Sequence, residues 1–187
     1  MGFSHQIIVT QDYTDDADKL ESGVSSLRSD GATALFDAVR VACGKLASVS
    51  GQGPIAGILV LLSDGDDNAS KSTIAQTIET AQRQEVTIYT ISTNNSGYTL
   101  SGDKVLKDLA AQTGGQGFLP NNPKDVVNAF SSIEQEMRSR YTLAYRPSDL
   151  REDGRFHHIE IRARRLNTKF RVHARKGYYA RLELSGN

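Results

Sequence analysis

The chain has 187 residues, with 22 Lys and Arg against 22 Asp and Glu, so its formal net charge is zero. This length corresponds to one domain, or to one domain with an appendage, and the ordinary composition excludes extensive disorder. No apolar run approaches the ~20 residues that span a bilayer, and the N-terminus lacks a signal-peptide pattern. The single cysteine, Cys43, excludes an intrachain disulfide and a thiolate metal cluster.

The charge is unevenly distributed along the chain. Residues 1–136 carry 9 Lys and Arg against 17 Asp and Glu, whereas residues 137–187 carry 13 against 5. This shift predicts a division into residues 1–138 and residues 139–187. We interpret the basic end as a solvated sheet face that lies against the acidic part. An anionic partner, such as nucleic acid, a membrane surface or a cell-wall polymer, is less favoured because no aromatic and basic recognition motif is present.

The first third of the chain predicts one strand and two helices. Residues 6–10 are β-prone, and Thr14 followed by Asp15 and Asp16 is typical of a helix start. Apolar residues at helical spacing follow in two groups, which are Ala17, Leu20, Val24 and Leu27, and then Leu35, Val39, Ala42, Cys43 and Leu46.

An apolar run at residues 58–63 is the centre of the predicted fold. It is too short for a buried helix and follows Gly57, so it predicts a central parallel strand. The run stops at Asp64, at the carboxyl end of the strand, where ligands bind in open α/β sheets. Oxygen donors crowd this point, namely Asp64, Asp66, Asp67, Asn68 and Ser70. Such a density of hard donors indicates a divalent cation such as Mg²⁺.

The rest of the chain predicts alternating helices and strands, and then strands alone. Helices are expected at residues 70–84 and 103–113, with strands at 86–91 and 118–119. Gly114 and Gly115 predict the end of the second of these helices. A helix then starts at Asn122 and Pro123, with an apolar stripe of Val126, Phe130, Ile133 and Met137. This alternation predicts a parallel sheet wrapped by helices. Residues 141–145, 159–163 and 170–174 have period two, which predicts a three-stranded antiparallel meander with one basic face.

Four stretches carry a resemblance to a known family. They are GATALFDA from Gly31, LLSDGDDN from Leu61, LAAQTGG from Leu109, and a tail containing YTLAYRP from Tyr141 and RKGYYA from Arg175. In this order the chain resembles the von Willebrand factor type A domain, in the form found in the acidobacterial von Willebrand A-related group of exported bacterial proteins.

The resemblance implies an α/β fold with a three-layer, doubly wound, mostly parallel sheet of strand order 3-2-1-4-5-6. The chain would start after the second strand, so residues 6–10 would be the third, and the tail would be a C-terminal antiparallel extension. The family's metal-ion-dependent adhesion site combines an Asp-x-Ser-x-Ser loop, a threonine and an aspartate. The threonine corresponds to Thr33 and the aspartate to Asp64, but no Asp-x-Ser-x-Ser sequence is present. We therefore expect weak Mg²⁺ binding.

The resemblance implies a non-enzymatic adhesion module that binds a carboxylate of a protein ligand, in an extracellular or periplasmic setting. The alternative is a structural or assembly subunit that uses no metal. Such a subunit would contact partners through a free edge of the strand at residues 58–63 or through the basic extension. Another chain, or a second copy of this one, would then complete the sheet.

Other chemistries fit the residues around Asp64 less well. An EF-hand requires glycine and glutamate where the chain has Ala69 and Ala75. A phosphoacceptor aspartate would need a lysine directly after residues 86–91, and a serine hydrolase would need a Gly-x-Ser-x-Gly elbow. The sequence contains neither. The four histidines have no metal-binding spacing. A solvated turn that caps the following helix remains open as the structural interpretation of the Asp64 cluster.

Overall fold

The computed structural model describes residues 1–28, 31–50, 57–147, 153–165, 168–170 and 172–180. The elements of the N-terminal part are β1 (Gly2–Phe3), β2 (Ile7–Ile8), α1 (Ala17–Ser25), α2 (Leu35–Ser50), β3 (Ile58–Ser63), α3 (Ile74–Arg83), β4 (Thr87–Ser92), α4 (Ser101–Thr113), β5 (Gly117–Phe118) and α5 (Pro123–Arg138). Four short strands follow, which are β6 (Phe156–His158), β7 (Arg164–Arg165), β8 (Thr168–Lys169) and β9 (Gly177–Tyr179).

A parallel sheet of order β3-β4-β5 forms the centre of the structure. Strand β3 pairs with β4 over its whole length, from Ile58 opposite Thr87 to Ser63 opposite Ser92. All six residues of β4 are buried. The prediction of a mixed α/β fold with a parallel sheet is confirmed, and the strand after Gly57 forms at the predicted residues. The central position predicted for it is wrong, because β3 lies at one end of the order β3-β4-β5 and β4 is the central strand.

Helices pack on both faces of this sheet. On one face α2, α3 and α4 enclose the larger core, and its fully buried members include Leu35, Val39, Cys43, Ala81, Ile88, Leu106 and Leu109. On the other face α5 brings Ala129 and Ile133 against Tyr89 and Ile91 of β4. The sheet therefore has apolar side chains on both sides, which explains why β3 has a continuous apolar run in its sequence.

The helix boundaries follow from local capping. The side chain of Asp16 accepts hydrogen bonds from the first turn of α1, and Thr73 and Gln76 form a capping box on α3. Asn122 caps α5, which has Pro123 in its first turn, and Gly114 ends α4 in the left-handed conformation with φ of 87°. The start of α5 and the stop of α4 were predicted from residue type. The start of α1 lies at the end of the predicted segment from Thr14 to Asp16, and α3 starts later than the predicted residue 70 because Thr73 supplies the cap.

The predicted apolar stripe of α5 is partly wrong. Phe130 and Met137 are 45% and 47% exposed, whereas Ala129 and Ile133 are buried. The short strand β5 leaves little sheet beneath this helix, so only a narrow strip of its surface is covered. The spacing alone could not show how wide that strip would be.

The antiparallel part of the chain is present but differs from the predicted meander. Strand β6 pairs antiparallel with β9, and β7 pairs with β8. None of the three predicted strands forms at its predicted position, because the described residues of 141–147, 159–163 and 170–174 are not in strands. Tyr141, Leu143 and Tyr145 are exposed. Alternation predicts a strand only where a neighbouring strand supplies hydrogen bonds, and that neighbour is absent here among the described residues. Parts of the predicted connections, at 148–152 and 166–167, and residue 171 of the third predicted strand lie outside the described residues.

The β-prone segment near the N-terminus forms its own hairpin. Strand β2 pairs antiparallel with β1 and not with the central sheet. The hairpin is joined to α2 because the N–H of Ala34 donates to the carbonyl oxygen of Ser4 at 2.9 Å. In the part of the chain that the structure describes, no helix has the length and hydropathy to cross a membrane.

Candidate functional site

The loop after β3 is fastened to the N-terminal end of α2. The N–H of Thr33 donates to Asn68 Oδ1 at 2.7 Å. The N–H groups of Asn68 and Ala69 donate to the carbonyl oxygen of Thr33 at 3.0 and 3.2 Å. Thr33 is thus held against the loop that begins with Asp64, although the two residues lie far apart in sequence.

The same loop caps α2 from a distance. Asp67 Oδ2 accepts from the N–H of Phe36 at 2.9 Å, and Ser70 Oγ accepts from the N–H of Asp37 at 3.0 Å. First-turn N–H groups have no partner within their own helix, so they require such acceptors. Asp67 and Ser70 therefore have a structural role, but the prediction that the cluster caps the following helix is wrong. They cap α2, whereas the helix that follows the loop, α3, is capped by Thr73.

Asp37 fastens the far end of the loop. Its carboxylate accepts from the N–H groups of Lys71 and Ser72 at 2.9 and 3.1 Å. Hydrogen bonds from the Ser72 side chain and from the backbone of Lys71 lower the pKa of Asp37, and the charge of Arg40 acts in the same direction. Asp37 is consequently an ionised structural anchor of the loop at neutral pH.

Asp64 lies where β3 meets α4. Its Oδ1 accepts from the N–H of Asp66 at 3.1 Å, and its side chain is exposed. The next residue, Gly65, has φ of +85° and would place a Cβ 2.1 Å from the carbonyl oxygen of Gly102. Glycine at both positions lets the two backbones approach, so the end of β3 is anchored to α4 as well as to α2.

The hydrogen bonds separate the predicted oxygen donors into two groups. Both carboxylate oxygens of Asp67 and the amide oxygen of Asn68 accept from backbone N–H groups. Within the described residues, no hydrogen bond involves the Thr33 hydroxyl, the second oxygen of Asp64 or the Asp66 carboxylate. The structure therefore leaves these three groups at the carboxyl end of β3 available to a ligand.

This donor set fits a cation only if water supplies most of the coordination. Among the described residues, no three His, Cys, Asp or Glu side chains are grouped as a metal site. Mg²⁺ commonly keeps several waters and binds one or two carboxylates, which is compatible with Asp64 and a neutral hydroxyl from Thr33. Calcium, which takes six to eight oxygen ligands, fits these residues less well.

Sequence reasoning missed a buried carboxylate next to this edge. Asp103 of α4 is 1% exposed, and it accepts from Ser92 Oγ at 2.6 Å, Leu100 N at 2.7 Å and Asn94 Nδ2 at 2.8 Å. Burial opposes its ionisation, but these hydrogen bonds and the charge of Lys107 together lower its pKa. Its position in the first turn of α4 was the available signal. Asp103 fastens the loop between β4 and α4.

Described residues of the basic extension contact the opposite end of the sheet. Arg175 pairs with Glu85 at 2.9 Å, and the guanidinium of Arg83 lies 4.0 Å from the ring centroid of Tyr179. Both Arg83 and Glu85 lie between the end of α3 and the start of β4. The described extension therefore contacts the amino ends of the strands and does not border the edge that contains Asp64.

Comparison with known proteins adds little to this description. No protein-family model matches the chain, and no curated protein matches it. A solved structure described as an uncharacterized membrane spanning protein from Vibrio fischeri has a TM-score of 0.40 and 19% sequence identity. It covers 65% of this chain, and the match covers 67% of that protein. A similarity of this degree supports no conclusion about fold or function.

Proposed function

We propose that the protein is a non-enzymatic binding module of the von Willebrand A type, with a partial metal-ion-dependent adhesion site made by Thr33 and Asp64. The ligand would be a protein that offers a carboxylate, in an extracellular or periplasmic setting. The observation that carries this proposal is the set of hydrogen bonds between Thr33 and Asn68, because it holds the loop that begins with Asp64 against α2.

The chemistry of the available donors supports this proposal. A bound Mg²⁺ would supply an open coordination position for a carboxylate. Asp64 contributes one negative charge and Thr33 contributes a neutral oxygen, so the cation would keep net positive charge. Both carboxylate oxygens of Asp67 are occupied by backbone hydrogen bonds, so Asp67 is not a proposed ligand. A carboxylate from another protein is then the complementary ligand.

The surroundings of the one thiol also support a non-enzymatic role. Cys43 is fully buried in the larger core, and burial raises its pKa to about 12. A thiol with such a pKa is protonated at neutral pH and is not a nucleophile. Among the side chains near Asp64, those of Asp67, Asn68 and Ser70 are engaged in holding the loop on α2.

Mg²⁺ titration by calorimetry tests the proposed site. We expect a dissociation constant of about 1 mM, since few protein ligands are present. Asp64→Asn and Thr33→Val should each abolish the measurable heat of binding. Asp108→Asn is the matched control because it removes the same charge from an exposed position of α4 outside the loop, so the Mg²⁺ affinity of this variant should change less than about threefold.

Binding of a carboxylate is tested with a pair of short peptides that differ only by Asp or Asn. The Asp peptide should bind in Mg²⁺ and not in EDTA, and the Asn peptide should bind in neither. A micromolar dissociation constant for Mg²⁺ would contradict the expectation that the site binds weakly. Equal Mg²⁺ affinity in the wild type, Asp64→Asn and Thr33→Val would contradict the assignment of the ligands.

A further inference from the structure

Strand β3 is an edge of the central sheet. It pairs with β4 on one side, and no backbone hydrogen bond from the described residues reaches its other side. The N–H groups of Thr87 and Thr93 donate to the carbonyl oxygens of Gly57 and Ser63, each at 2.9 Å. Odd-numbered residues of β3 therefore face β4. Because the backbone groups alternate in direction along a strand, Ile58, Val60 and Leu62 direct their N–H and C=O groups to the free side.

The free edge of β3 lacks the features that protect edge strands. Residues 57–63 contain no charged residue and no proline, and the uninterrupted register with β4 shows no bulge. The side chains of Ile58 and Val60 are half-buried on the face covered by α5, and Leu62 is 44% exposed. An uncharged, regular and partly exposed apolar edge is a template for pairing with another strand.

We propose that this edge pairs antiparallel with β3 of a second copy of the chain. Only an extended strand offers the alternating donors and acceptors that the edge requires. A two-fold axis perpendicular to the sheet makes identical edges antiparallel and self-complementary. Residues 57–63 are neutral, so two copies meet without like-charge repulsion, and no charge on the edge selects a partner of another kind.

One register of the two β3 strands gives a hydrogen-bond partner to every outward N–H and C=O group of Ile58, Val60 and Leu62. With Val60 opposite Val60, Ile58 lies opposite Leu62 of the second copy, and each pair exchanges N–H and C=O hydrogen bonds. A shift by two residues in either direction leaves outward groups without partners. The side chains of Ile58 and Leu62 then lie together on the face that contacts α5, and this covers the exposed Leu62. The result is one continuous sheet across two copies.

Sedimentation velocity between about 1 μM and about 500 μM tests the pairing, since a modest interface dissociates in this range. We expect a concentration-dependent monomer to dimer transition that is the same in Mg²⁺ and in EDTA. Leu62→Lys should weaken the dimer about tenfold or more, because the change affects both symmetry-related pairs. The matched control is Val127→Lys, which alters a valine of α5 that is 64% exposed and should leave the transition unchanged.

A cross-link at the two-fold axis tests the register and does not depend on the charged variant. Opposed residues of a hydrogen-bonded antiparallel pair have Cα atoms about 5.5 Å apart, which a disulfide can bridge. Val60→Cys should therefore give a covalent dimer on oxidation, whereas Val127→Cys should not. The native Cys43 is buried and does not interfere.

Hydrogen exchange separates the possible occupants of the edge. The amides of Ile58, Val60 and Leu62 should exchange fast in dilute protein and slowly in concentrated protein. Slow exchange in a monomer would show that another part of the same chain covers the edge, and would overturn the proposal. A monomer at every concentration, or a dimer that Leu62→Lys and Val127→Lys affect equally, would also overturn it.

Discussion

At the scale of single residues, carboxylates of the same type have different roles in neighbouring loops. Asp67 accepts two backbone hydrogen bonds and fastens α2, whereas Asp64 accepts one from Asp66 and stays exposed. Asp103 is buried and accepts three hydrogen bonds. The residue type was visible in the sequence. The choice between ligand and anchor depends on which N–H groups the fold brings within reach.

Asp103→Asn should lower the free energy of unfolding by about 2 kcal/mol at pH 7, because a buried amide replaces a charged acceptor of three hydrogen bonds. The new NH₂ group would also face donors from Asn94 and Leu100. Asp108→Asn is the control, since Asp108 is exposed on the same helix and its loss should cost less than about 0.5 kcal/mol. Urea denaturation measures both values, and equal effects would contradict the anchoring role.

The contribution of Asp103 to the free energy of unfolding should decrease at low pH. Its folded-state pKa lies below the ordinary value of 3.8, so ionisation favours the folded state. That stabilisation is fully present above the unfolded pKa and is lost as pH falls through the folded pKa. The difference in stability between wild type and Asp103→Asn should therefore be constant from pH 7 to about 5 and narrow below about 3.8. A constant difference down to pH 2 would contradict this.

At the scale of secondary-structure elements, close backbone contact decides how β3 meets α4. A Cβ at Gly102 would lie 2.1 Å from the carbonyl oxygen of Asp64. No side chain can yield at that point because both groups are backbone. The candidate site therefore depends on a glycine that carries no functional group, and its position in the first turn of α4 did not indicate this need.

Gly102→Ala should lower the free energy of unfolding by about 3 kcal/mol, because one of the two elements must shift. The control is Gly44→Ala in α2, where a Cβ meets nothing within 4 Å. This change should stabilise the protein by about 0.5 to 1 kcal/mol through reduced backbone entropy of the unfolded state. Thermal and urea unfolding report both values, and the prediction fails if the two variants are equally stable.

At the scale of the whole molecule, the extension and the candidate site occupy opposite ends of the sheet. The extension approaches the end of α4 at Gly114, where a Cβ would lie 2.5 Å from the backbone nitrogen of Arg175. On the α5 side, Tyr89 is buried, and desolvation together with a hydrogen bond to Glu136 raises its pKa to about 12. Glu136 also lies 3.8 Å from His173 of the extension.

Gly114→Ala should be more destabilising than a glycine substitution that disturbs only the backbone conformation. Gly97→Ala is the matched control, since Gly97 has φ of +77° and a Cβ there meets nothing within 4 Å. Gly97→Ala should cost about 1 kcal/mol, and Gly114→Ala about 2 kcal/mol more, because it also displaces the extension. Urea unfolding gives the difference. Limited proteolysis after Arg175 should accelerate only in Gly114→Ala. Equal proteolysis rates in Gly114→Ala and Gly97→Ala would contradict the role of the close contact between Gly114 and Arg175.

The sequence by itself determined the local elements of this protein. Capping residues such as Asn122 and Gly114 act within a few positions along the chain, and the apolar run at β3 is too short for a helix and so forms a strand. Asp64 was also placed correctly, at the end of that strand, because a strand must stop where its apolar run stops. The division near residue 138 and the metal site remain predictions.

Only the tertiary structure decided which donors near Asp64 are engaged, which side of α5 is buried and which strands find partners. Asn68 binds Thr33, and Asp67 caps α2, through contacts across more than thirty positions of sequence. Tyr141 and Leu143 have strand-like alternation without a neighbouring strand among the described residues. Pairing, burial and hydrogen bonding between distant segments depend on the positions of both partners, whereas a local pattern records only one of them.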